Sequence, residues 1–188
     1  MIISELDIKG VYSIQLEPHE DHRGYFVRTY DSGIFKRHGI DRVWVQENHS
    51  FSLKKGTVRG LHFQYPPDTE TKVMRAVTGE IFFAFVDLRK RSPTFGKWGS
   101  LIISDKNKKL LYIPRGCALG MCTLTDNCNL SYKVDSHYTS HNEDVLLWND
   151  PDIGIAWPVK EPAVISERDR GGKTFKEFLH RCGGLDLP

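Results

Sequence analysis

Polar and apolar residues alternate with a period of two along most of this chain, and the alternating runs are rich in β-branched and aromatic residues. The pattern predicts strands in GVYSIQL, GYFVRTY, RVWVQENHSFS, TVRGLHFQ, KVMRAVTGEIFFAFVDL, GSLIIS, KLLYIP, ALGMCTL, NLSYKVDS and DVLLWND. Turn-forming residues separate them in PHEDHRG, YPPDTET, RKRSPTFGKW, SDKNKK and NDPDIG. Two short helices fit the remainder. SGIFKRHG has Asp31 or Ser32 as its cap and Gly39 as its stop, and KTFKEFLHR lies near the end. So many short strands with so little helix predict a mainly β fold, a jelly roll or barrel with extra N-terminal strands. Such folds carry small-molecule sites in their interiors. The N-terminal strands could pair across a homodimer, which would cover exposed sheet edges.

Composition narrows the class. The 188 residues suit a single domain spanning 1–188, and 39% hydrophobic with 27% charged residues is ordinary for a soluble globular protein. The net charge is +2 and the basic residues are dispersed, so nucleic-acid binding is not expected. No apolar run approaches the roughly 18 residues of a membrane span. The opening MIISELDIKG has no signal-peptide pattern, so a cytoplasmic location is expected. Cys117, Cys122, Cys128 and Cys182 contain no C-x-x-C pair and are expected as reduced thiols.

The run GTVRGLHFQ, Gly56 to Gln64, is where the alternation meets chemistry. Strict alternation puts Gly60, His62 and Gln64 on one face and Arg59, Leu61 and Phe63 on the other. A bulge at Gly60 would turn Arg59 towards the His62 side. Lys72 follows the next turn, so an interior holding Arg, His and Lys needs counter-charges or an anionic ligand. A metal site is a poor fit. Metal-binding cupin barrels use further histidines where this chain has Gln64 and, in PRGCAL, Leu119, which leaves only His62 and Glu70. Acid–base chemistry suits the residues better. Imidazole titrates near neutrality, Asp169 in SERDRGG could hold it, Tyr132 in NLSYKVD could return a proton, and Lys72 could stabilise an enolate oxygen. Taken singly, each also has an ordinary structural reading.

Taken together, the motifs carry a resemblance over nearly the whole chain. DHRGYFVRTY, WVQENHSFS, GTVRGLHFQ, TKVMRAVTGEIFFAFVDLRKRSPTFGKW, LYIPRG, YKVDSHY, LLWNDPDIGIAWP and ISERD occur in the order and spacing of one family. The chain resembles the dTDP-4-dehydrorhamnose 3,5-epimerases of the cupin superfamily. The resemblance implies a cupin jelly roll with His62 as general base, Asp169 as its carboxylate partner, Tyr132 as general acid and Lys72 on the 4-keto oxygen. It implies that Arg59 and Arg168 bind the diphosphate or nearby sugar atoms. Arg23, Phe26, Gln46, Asn48, Tyr138 and Glu143 would line the nucleotide and sugar pocket, some of them supplied by the second subunit of a homodimer. No metal or organic cofactor is implied, and the partner is a nucleotide-diphosphate sugar.

Two departures from the family pattern bear on substrate. Leu119 stands where the family has a substrate-contacting histidine, with Cys117 and Met121 in place of aromatics, and Arg28 stands where it has Glu in the nucleotide pocket. An Arg can donate to the acceptors of cytosine, and Leu119 suits a sugar lacking a hydroxyl. The alternative substrate is then a CDP-linked 3,6-dideoxy-4-ketohexose inverted at C5 only. The competing classes are a keto-isomerase on the same kind of ligand, a metal-dependent cupin oxygenase and a non-catalytic sugar-nucleotide binding module.

Overall fold

The computed structural model describes residues 1–187, and its strands form two antiparallel sheets sharing one core. Numbered along the chain, the first sheet orders as β1 (Ile2–Glu5), β2 (Tyr12–Gln15), β10 (Lys109–Ile113), β7 (Lys72–Thr78), β12 (Cys128–Val134) and β5 (Gln46–Ser52). The second orders as β13 (Glu143–Val145), β6 (Val58–Gln64), β11 (Cys117–Thr123), β8 (Glu80–Asp87) and β9 (Trp98–Ser104). A separate hairpin pairs β3 (His19–Asp21) with β4 (Gly24–Phe26).

Alternation explains the packing. Met74, Leu111, Ile113 and Leu130 of the first sheet meet Ile81, Phe83, Phe85, Ile103 and Met121 of the second. Burial of each such side chain contributes about 1.5–3 kcal/mol. The outer faces are covered too. Helix α1 (Ser32–Arg37) lays Phe35 on the first sheet beside Ile14, Val73 and Leu110. Helix α3 (Phe175–Cys182) lays Phe178 on the second beside Leu61, Phe63 and Val86. Asp31 caps α1 by accepting the Ile34 N–H at 3.0 Å, and Thr174 with Glu177 forms a capping box on α3.

Several elements differ from the sequence reading. The run KVMRAVTGEIFFAFVDL is two strands, not one. It breaks at Gly79, whose φ is +82° and where a Cβ would meet the Cys128 Sγ at 2.6 Å. GYFVRTY forms a strand only over Gly24–Phe26, so the N-terminal hairpin is short. β1 and β3 lie in segments with no expected strand. ISERD leads into a four-residue helix, α2 (Glu167–Arg170), whose cap Ser166 accepts the Asp169 N–H at 3.1 Å.

Candidate active site

The site begins with a register fault. Between β6 and β11, His62 pairs with Leu119 and Arg59 pairs with Met121. Two residues on β6, Gly60 and Leu61, therefore face Gly120 alone, which is a β-bulge. Gly60 makes it possible. Its φ is +98°, and a Cβ there would lie 2.4 Å from the Leu119 carbonyl oxygen. The extra residue resets the alternation. Leu61 turns outward into the apolar layer under α3, while Arg59 and His62 both face the space between the sheets.

That space is a cavity of about 180 Å³ lined by both sheets. The second sheet gives Arg59, His62, Phe83, Leu119, Gly120 and Met121, and the first gives Ser50, Lys72, Met74, Leu130 and Tyr132. The pairing explains the shared face. Tyr132 sits opposite Asn48 on one side and Met74 on the other, and Lys72 sits opposite Val134. The imidazole and the phenol thus enter one cavity from different sheets. Lys72 Nζ lies 5.9 Å from the centre of the Tyr132 ring and 2.7 Å from Glu70 Oε1. Arg59 is steadied from β5, donating to the Phe51 carbonyl at 3.2 Å and to Ser52 Oγ at 3.3 Å.

Behind the imidazole stands a carboxylate. His62 Nε2 is 2.7 Å from Asp169 Oδ1, and Asp169 Oδ2 accepts the Gly60 N–H at 3.2 Å. Burial alone would raise the Asp169 pKa. The hydrogen bond and charge of His62, with the Gly60 N–H and Ser166, outweigh it and hold the carboxyl below its ordinary range. An ionised carboxylate only accepts, so Nε2 carries a proton, and in the neutral ring Nδ1 keeps a free lone pair. The pair can therefore act as an oriented base.

A second polar group ties the edges of the two sheets together. Glu143 Oε2 accepts from Tyr138 Oη at 2.9 Å and from Arg168 Nη2 at 2.6 Å, and the Tyr138 N–H donates to Gln46 Oε1 at 2.9 Å. Glu143 raises the pKa of both Tyr138 and Arg168 through these bonds. Gln46, Tyr138, Glu143 and Arg168 are thus gathered beside the dyad. Arg23 and Phe26 of the hairpin, and Arg28 just beyond it, are not. Arg23 pairs with Asp21 at 2.6 Å, Arg28 with Asp31 at 3.4 Å, and Phe26 is 66% exposed. All three lie around other hollows, away from His62. Sequence reasoning missed Ser50 and the role of Glu70 beside Lys72. The polar alternation Gln46, Asn48, Ser50 along QENHSFS was the available signal for Ser50. Among the described residues, no three His, Cys, Asp or Glu side chains gather as a metal site would need.

The family model described as dTDP-4-dehydrorhamnose 3,5-epimerase matches residues 5–177. The chain belongs to this family. It is 42% identical to the dTDP-4-dehydrorhamnose 3,5-epimerase of Neisseria gonorrhoeae over 94% of its own length, while spanning 53% of that relative. It is 40% identical to the enzyme of the same name from Methanothermobacter thermautotrophicus, covering 90% of this chain and 92% of the other. The crystal structure of dTDP-6-deoxy-D-glucose-3,5-epimerase RmlC from Legionella pneumophila, solved with dTDP-4-keto-L-rhamnose, superposes with a TM-score of 0.92. The two are 31% identical, and the match covers 100% of this chain and 98% of that one. The fold is accordingly the cupin-like jelly roll of these epimerases, and the family is an isomerase family.

Proposed function

We propose that this chain epimerises a dTDP-linked 4-keto-6-deoxyhexose by removing and returning a proton beside the ketone. The observation that carries the reading is the shared cavity. An imidazole backed by a buried carboxylate and a phenol from the opposing sheet line one space, with an ammonium next to the phenol.

A C–H next to a ketone is too weak an acid to ionise unaided. His62 Nδ1 takes the proton, the C–H electron pair moves into the C4–carbon bond, and charge collects on the C4 oxygen. Lys72 lies where it can pair with that oxyanion, and Asp169 stabilises the imidazolium that forms. Tyr132 then delivers a proton to the opposite face of the same carbon. Configuration inverts, and exchange with water removes the proton gained by His62 and replaces the one lost by Tyr132. Oriented acid and base groups contribute about 10²–10⁴-fold each. Arg59 and Arg168 suit a diphosphate because a guanidinium matches its oxygens in a fork. Gln46, Asn48, Tyr138 and Glu143 line the approach along the two sheet edges.

Arg23 and Phe26 reach a nucleotide only if another copy of the chain brings them to the cavity, so a homodimer completes the site. Support comes from the exposed rings of Tyr25 and Phe26 on a hairpin outside both sheets. The alternative substrate, a CDP-linked 3,6-dideoxy-4-ketohexose, rests on Arg28, whose exposed side chain lies 3.4 Å from Asp31, and on Leu119, while the names of the relatives favour the dTDP-linked sugar. The test is product analysis in heavy water with dTDP-4-keto-6-deoxyglucose. Epimer carrying deuterium at the inverted carbon is expected. Turnover unchanged in His62→Ala, or a product with a displaced carbonyl, would refute the assignment.

A further inference from the structure

The stretch of wall directly beside the imidazole is apolar, and this bears on which carbon reacts. Leu119 is the direct cross-strand neighbour of His62, Gly120 follows with no side chain, and Met121 is next on the same face. Phe83 pairs with Met121 and continues the surface. Leu119 is 9% exposed and Met121 5%, so any group placed there leaves water behind. The cavity's remaining polar atoms lie elsewhere. Ser50, Lys72 and Tyr132 are on the opposing sheet, and Arg59, the cross-strand partner of Met121 and not of Leu119, sends Nε and Nη2 to Ser52 and Phe51 on β5.

Resting on the epimerase reading above, we propose that the site selects the carbon beside the ketone that bears a methyl group, C5, and disfavours C3, which bears a hydroxyl. The geometry of deprotonation forces the choice. The C–H must point at the imidazole, and as the enolate forms, the carbon's other substituent settles near the enolate plane, beside the base. Next to His62 that place is walled by Leu119 and Met121. A methyl group at C5 packs there at no cost in hydrogen bonds. The C3 hydroxyl would give up water there and find no partner in the Leu119 or Met121 side chain. A hydrophobic pocket discriminates against an added hydroxyl by up to about 10²-fold, so C5 is expected to outpace C3 by about 10- to 100-fold.

The test is deuterium exchange by NMR, with C5 and C3 of dTDP-4-keto-6-deoxyglucose followed separately at several enzyme concentrations. Wild-type protein is expected to exchange and invert C5 while C3 lags by at least about tenfold. Leu119→Asn, which puts an amide of similar volume on the wall, is expected to raise C3 exchange relative to C5, whereas Leu119→Val keeps the wild-type ratio. Wild-type exchange at C3 and C5 within threefold of each other would overturn the inference while leaving the epimerase intact. So would a Leu119→Asn variant that turns over with an unchanged ratio. No exchange at either carbon would instead sink the epimerase reading and this inference with it.

Discussion

Asp169→Asn separates orientation of the base from simple occupancy of the site. Asp169 is 5% exposed, and its Oδ1 lies 2.7 Å from His62 Nε2. A hydrogen bond to a charged group contributes about 1.5–3 kcal/mol, and that interaction strengthens as His62 gains its proton in the transition state. Losing it alone predicts a fall in kcat of about 10- to 150-fold. A second effect adds to it. An asparagine amide can donate to Nε2 as readily as accept from it, and donation forces the proton onto Nδ1 and removes the lone pair that must attack the C–H. The combined expectation is a loss of at least about 10²-fold in kcat. KM should change little, since Asp169 lies behind the ring and not against the sugar. The assay is steady-state turnover on dTDP-4-keto-6-deoxyglucose, with solvent-deuterium exchange as a readout of proton removal. Both rates should drop together, and the melting temperature should confirm a folded variant. A folded Asp169→Asn protein with kcat within threefold of wild type would refute the dyad. A loss confined to KM would refute it as well.

Tyr132→Phe is expected to lower epimer formation by about 10²–10⁴-fold while sparing exchange of the substrate proton, because His62 still removes it. The exchange-to-inversion ratio therefore rises, and equal loss of both would argue against the phenol as acid. Gly60→Ala is expected to cost about 2–4 kcal/mol and most activity: φ there is +98° and the new Cβ would lie 2.4 Å from the Leu119 oxygen, so a denaturant melt showing under 1 kcal/mol of change would contradict the bulge. Asp87 is fully buried, and although burial raises its pKa, bonds from Arg89, Ser92 and Thr94 hold it below the ordinary range. A depressed folded pKa stabilises fully above the unfolded value of about 3.9 and stops doing so as pH falls through the folded value. Asp87→Asn should therefore be less stable at pH 7 and lose less further stability on acidification than wild type, as urea melts from pH 7 to pH 2 would show.

Much of this molecule was legible because the period-two alternation holds along most of its strands. Alternation in KVMRAVT puts Lys72 and Met74 on one face of their strand, but only the sheet pairing brings Tyr132 of NLSYKV to that face. His62 with Asp169 was different. They are 107 residues apart, and nothing local says that a four-residue helix would bring the carboxylate to the imidazole. Residue chemistry made Asp169 one candidate, the resemblance implied the pair, and the fold supplied its cause in the Ser166 cap and the Gly60 N–H. Arg59 marks where the period itself misleads. By counting, it belongs with Leu61 on the outside, and only the glycine hints that one residue must be discounted. That discounted residue explains why GTVRGLHFQ can serve core and chemistry together. The bulge sends Leu61 into the apolar layer behind the sheet and leaves Arg59 and His62 facing inward, three residues apart on the same side. A regular strand could not do this, since an odd separation puts two side chains on opposite faces. The site thus depends on an irregularity in the sheet as much as on the identity of its base.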